Sequence, residues 1–150
     1  RAGWPNGIQV DFLGSKFVPS SVTGKTPLGN DPVTSPTVNG RLMLSDGGLF
    51  PPLSNNLSIG LTSRATVLGA PSGGTAASSV ALTFSSNGTF SGSFKHSTWR
   101  TTPTFAGVVM QKTRTAGGYF LARRNSSSTL QSGSATISTA TTAPAIIAAN

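Results

Sequence analysis

Apolar and polar positions alternate with a period of two through much of this chain, and that pattern predicts strands. Leu42 and Leu44 alternate with Arg41 and Ser45 ahead of an Asp46-Gly47-Gly48 turn. Leu57, Ile59 and Leu61 alternate with Ser58, Gly60 and Thr62; Val80, Leu82 and Phe84 alternate with Ala81 and Thr83. Near the start, Ile8, Val10 and Phe12 alternate with Gln9 and Asp11. Such alternation is the mark of antiparallel sheets with one buried face. Residues 88–121 predict a three-stranded meander. Gly88-Thr89-Phe90-Ser91-Gly92-Ser93-Phe94 is followed by Thr104-Phe105-Ala106-Gly107-Val108-Val109-Met110-Gln111 and then by Gly117-Gly118-Tyr119-Phe120-Leu121. No window sustains a 3.6-residue apolar period, and 18 glycines with 10 prolines oppose helix.

Asn87-Gly88 predicts a type I′ hairpin turn joining the strand that ends at Phe84 to the one that begins near Phe90. Thr89-Phe90-Ser91-Gly92 recurs fifteen residues on as Thr104-Phe105-Ala106-Gly107. Paired in a meander, the two phenylalanines can pack beside glycines, which open room for a ring. Residues 70–79 and 125–143 are rich in Ser, Thr, Gly and Ala. The first reads as a loop; the second can hold one more strand at residues 135–138. The expected architecture is all-β, a small antiparallel sandwich or barrel of about eight to ten strands with negligible helix. Residues 1–124 form the domain, and 125–150 a tail carrying an extra or donor strand.

Composition narrows the chemistry. At 150 residues the chain suits one domain able to bury roughly 70% of its unfolded surface. With no cysteine it cannot hold disulfides, thiolate metal sites or a redox motif. Only 9% of residues are charged, well below the usual quarter, so hydroxyl and amide side chains must cover the surface. The net charge of +8 favours anionic partners without naming one. No run approaches the roughly 18 apolar residues of a membrane-spanning helix. Beginning at Arg1 without an apolar leader, the chain reads as a processed form or a piece of a longer protein.

Several of these segments resemble a known family. The run from Gly88 to Phe94, then Phe105-Ala106-Gly107-Val108-Val109-Met110-Gln111-Lys112, then Gly118-Tyr119-Phe120-Leu121 is similar to a β-rich domain of large secreted proteins of verrucomicrobial and planctomycete-type bacteria. Trp4-Pro5-Asn6-Gly7, Gly14-Ser15-Lys16-Phe17-Val18-Pro19 and Leu42-Met43-Leu44-Ser45 fit the same pattern, so the likeness covers roughly residues 4–121. It implies export and a role at the cell surface, and it carries over no catalytic residues or cofactor.

Reactive constellations are scarce. A nucleophilic triad needs a base and an orienting acid, and the chain has one histidine, His96, three aspartates (Asp11, Asp31, Asp46) and no glutamate. Paired-carboxylate hydrolysis would have to use two of those three acids, and a zinc site lacks ligands. Calcium at Asp31 or Asp46 would rely on backbone carbonyls. Thr23-Gly24-Lys25-Thr26 imitates the end of a phosphate-binding loop, but Pro19 stands where the motif needs glycine and Pro27 follows where it needs a helix. Trp4 and Trp99 read as packing residues more readily than as sugar-stacking ones. Residues 56, 87 and 125 are formal asparagine glycosylation acceptors.

Two functional expectations follow, neither of them enzymatic and neither needing a cofactor. Ala145, Ile146 and Ile147 close the chain on an apolar, uncharged run after a Ser/Thr-rich stretch. Such a segment can add as a strand to another subunit, dock on its own sheet, or link to a further domain. In the first case the chain is a subunit of a surface fibre, appendage or layer, with Ile8, Val10 and Phe12 as the acceptor edge and copies of itself or neighbouring domains as partners. Alternatively, Lys112, Arg114, Arg123 and Arg124 flank one hairpin and can converge on an anionic glycan or other polyanion, nucleic acid being the less favoured. Both place the chain outside the cell.

Overall fold

A computed structural model describes residues 14–34, 36–123 and 129–140. The architecture is all-β: eight antiparallel strands wind into one nearly closed barrel. They are β1 (Gly40–Asp46), β2 (Leu49–Ser58), β3 (Thr66–Val67), β4 (Ser78–Phe84), β5 (Thr89–Lys95), β6 (Thr104–Met110), β7 (Thr115–Ala122) and β8 (Gln131–Thr139). Among the described residues the one helix is a single turn, α1 (Ser20–Thr23). The spatial order β3-β2-β1-β8-β7-β6-β5-β4 makes two meanders joined where β1 pairs with β8. Around the remaining seam Ala65 N–H donates to Leu82 O at 3.2 Å and Phe84 N–H to Ser63 O at 2.6 Å. Closure of this kind removes the unpaired edges that invite aggregation.

Along β2 the ladder to β1 is interrupted by a bulge between the Leu44–Leu53 and Asp46–Leu49 pairs. Pro51 and Pro52 in β2 have no N–H to offer a neighbouring strand. Beyond them Ser54 N–H donates to Thr75 O at 2.7 Å. Buried Asn55 exchanges bonds with Ala77, accepting from its N–H at 3.0 Å and donating to its carbonyl at 3.2 Å. One amide side chain thus satisfies both backbone groups of Ala77.

The interior is filled by side chains, as an eight-stranded barrel allows. Phe90, Phe94, Phe105 and Phe120 are buried with Leu42, Leu44, Leu57, Leu82 and Ile137. The recurring Thr-Phe-x-Gly quartet has a reciprocal role: Phe90 pairs with Gly107 and Phe105 with Gly92. A Cβ on Gly92 would lie 2.3 Å from Phe105 Cζ, and one on Gly107 would lie 2.5 Å from Phe90 Cε1. Phe120 repeats the arrangement over Gly133 of β8. Each ring covers a glycine on the facing strand, where a side chain would block both the ring and the bend of the sheet.

Two turns differ from the reading of the sequence. Positive φ at both central positions, the demand of a type I′ turn, occurs at Gly47 (58°) and Gly48 (83°). At the second hairpin only Gly88 is left-handed, with φ 86°, so Ser86-Asn87-Gly88 is a three-residue loop and the expected I′ turn is corrected. Asn87 instead uses its side chain, accepting from Thr89 N–H at 3.1 Å. The strand expected to run through Leu57, Ile59 and Leu61 ends at Ser58; Ile59 is buried just beyond it and Leu61 is exposed. The strand expected at residues 135–138 is longer, Gln131–Thr139, and sits inside the sheet between β1 and β7.

Candidate anion-binding end of the barrel

The barrel has two ends, and the segment before β1 closes one of them. Residues 17–28 fold across the end that carries the β4–β5 and β6–β7 turns. Phe17 lies over Gly88, where a Cβ would be 2.7 Å from its ring, and Leu28 and Thr26 are fully buried. Gln111, at the start of the β6–β7 turn, fastens this cap. Its Oε1 accepts from Val18 N–H at 2.8 Å, and its Nε2 donates to Val18 O at 2.9 Å and Pro27 O at 3.1 Å. Next to it, Lys112 N–H donates to Ser15 Oγ at 3.1 Å.

That clamp gathers cations from three separate stretches. Lys16, Lys25 and Lys112 line one open hollow of about 590 Å³, with Ser15, Gly29 and Gln111 between them. Lys25 follows α1, whose C-terminus is capped by Gly24 in the left-handed conformation at φ 66°. The Thr23-Gly24-Lys25-Thr26 run therefore ends a helix, whereas a phosphate loop begins one. Lys25 Nζ pairs with Asp31 Oδ1. The hydrogen bond from Lys25 and then its charge hold the Asp31 carboxyl below its ordinary range against desolvation, and Arg114 adds the smallest contribution in the same direction. Arg114 belongs to the same end, in the turn after Lys112.

Of the four expected polyanion contacts, the three described residues are not brought together. Lys112 and Arg114 precede β7, whereas Arg123 follows it, about 26 Å away along eight strand residues. Arg123 shares the opposite end with Lys95 and Arg100, and its carbonyl accepts from Thr101 Oγ1. Arg124 lies outside the described residues, as do Ile8, Val10, Phe12, Ala145, Ile146, Ile147 and Trp4. Reading the sequence did not single out Lys16 and Lys25 for binding, because their convergence with Lys112 is made by the Gln111 clamp and not by spacing.

The remaining candidates are accounted for by packing. Trp99 is buried against Phe94, centroids 6.1 Å apart, with the His96 ring 4.7 Å away on it. His96 Nδ1 meets the Thr98 hydroxyl at 3.1 Å within its own turn. Asp46 occupies the first hairpin, with Ser45 Oγ donating to it at 3.2 Å. Among the described residues no three His, Cys, Asp or Glu side chains are grouped to hold a metal ion, and no helix is long and apolar enough to cross a membrane. No protein-family model, curated protein or solved structure matches this chain.

Proposed function

We propose that this barrel is a non-enzymatic module of an exported bacterial surface protein, and that its capped end holds an anionic polymer. The observation that carries the reading is the convergence of Lys16, Lys25 and Lys112 on one hollow, with Arg114 beside it and Asp31 as the single acid described at that end. Their side chains project from a clamped backbone, so binding does not require the loops to be ordered first. Anionic glycans fit an exported context better than nucleic acid does. Fluorescence anisotropy with labelled dextran sulfate tests this: binding should be strong at low salt and weaken steeply as salt is added, as polyelectrolyte contacts do. Uncharged dextran should not bind. Equal binding of both polymers would refute the reading.

A second reading, a subunit of a fibre or layer, draws on the outer face of β6 and β7. Val108, Tyr119 and Leu121 are each about half exposed there, and Tyr119 lies across from Ala106. Lateral contact through such a face would bury apolar surface between copies. Sedimentation velocity should then detect concentration-dependent species that Tyr119→Ser with Leu121→Ser abolishes. A single monomeric boundary over the whole range would remove this reading.

A further inference from the structure

Resting on the polymer-binding reading, we propose that the hollow receives one sulfate or phosphate ester group between Lys16, Lys25 and Lys112, and that Asp31 is the built-in anion this group displaces from Lys25. The ion pair of Lys25 with Asp31 is the one ion pair among the described residues, and both side chains are open to solvent, at 45% and 83% exposure. Lys25 lines the hollow and Asp31 does not, so the pair joins a lining cation to an acid outside it. Lys16 and Lys112 have no acidic partner among the described residues. The hollow therefore offers two free ammonium groups and a third that is already shown to accept an oxyanion.

The residue type defines the ligand class. Three lysines supply compact, hydrated point charges with rotatable donors, which suit a tetrahedral group with several oxygens spread over its surface. A planar carboxylate is matched best by the fork of an arginine, and Arg114 adjoins the hollow without lining it. A carboxylate is also the group Asp31 already provides. A ligand must exceed that internal competitor in charge or in the number of oxygens it presents, which selects esters of sulfate or phosphate over uronic acids.

The test compares wild type, Asp31→Asn, Lys25→Ser and the double variant against dextran sulfate, inorganic polyphosphate and polygalacturonate. Asp46→Asn, at the opposite end of the barrel, adds the same charge and serves as the control. Asp31→Asn should tighten sulfated or phosphorylated polymer about 2- to 5-fold, the scale of an exposed ion pair. Asp46→Asn should leave affinity within about 1.5-fold, and Asp31→Asn should have no effect once Lys25 is serine. Whichever of the sulfate and phosphate polymers binds more tightly identifies the source of the group. Failure of wild type to bind any of the three would remove the polymer reading itself. Wild-type binding without a gain in Asp31→Asn, an equal gain in Asp46→Asn, or polygalacturonate binding as tightly as the esters would overturn this inference alone.

Discussion

Replacing Phe120 with alanine is expected to lower the unfolding free energy by about 3–5 kcal/mol. The ring is 1% exposed, meets Phe94 edge-on at 5.2 Å, and covers both Gly47 and Gly133. Its loss removes apolar burial and an aromatic pair, and leaves a void against two stretches of bare backbone. A domain of this size is held by about 5–15 kcal/mol, so one substitution takes a large share. Gly133→Ala should destabilise as well, because the new methyl would sit 2.2 Å from Phe120 Cζ. Combined with Phe120→Ala, however, the same methyl enters vacated space and its penalty should shrink. Urea denaturation of the four proteins measures that coupling, expected at about 0.5–3 kcal/mol. Strict additivity would mean that Phe120 does not stand over Gly133.

Converting Lys16, Lys25 and Lys112 together to serine should weaken binding of dextran sulfate about 10- to 100-fold at low salt, the summed effect of three exposed charges. The dependence of log affinity on log salt should flatten by about one for each lysine lost. These side chains are not core residues, so the melting transition should move little. Removing the same charge at the other end, with Lys95, Arg100 and Arg123 changed to serine, should cost less than about 3-fold. Equal losses from the two triples would mean that overall charge, and not the hollow, attracts the polymer.

Much of this fold was legible in the sequence because period-two alternation is a local signal that burial enforces. Val80, Leu82 and Phe84 on one side of the Gly88 turn, and Phe90 and Phe94 on the other, announced a hairpin before any partner strand was known. β2 was harder to see, since Phe50-Pro51-Pro52 reads as a break. The prolines are tolerated there because they fall in a bulge: Leu44 pairs with Leu53 and Asp46 with Leu49, so the regular ladder to β1 skips Pro51 and Pro52. The type I′ turn moved from Asn87-Gly88 to Gly47-Gly48 because loop length, which local preference leaves open, is set by register. β8 hid in a Ser/Thr-rich run: its inward positions are only Gly133, Ala135 and Ile137, of which Ile137 alone is a large apolar residue, and Gly133 is bare because Phe120 covers it.

The candidate site was only partly legible. Lys112 and Arg114 could be read from their hairpin, but Arg123 belongs to the far end of β7, and a strand's length separates what a short stretch of sequence seemed to join. Lys16 and Lys25 lie far from Lys112 in sequence and meet it because the Gln111 amide holds Val18 and Pro27 and the Lys112 N–H holds Ser15. A lone glutamine carries no sign of such a role.

Backbone amide NMR of the labelled protein, titrated with a short sulfated oligosaccharide at low salt, tests the central claim most directly. Shifts should gather in residues 15–31 and 111–114 and spare Lys95, Arg100 and Arg123. Shifts centred on those three residues, or none at saturating ligand, would contradict a binding site at the capped end.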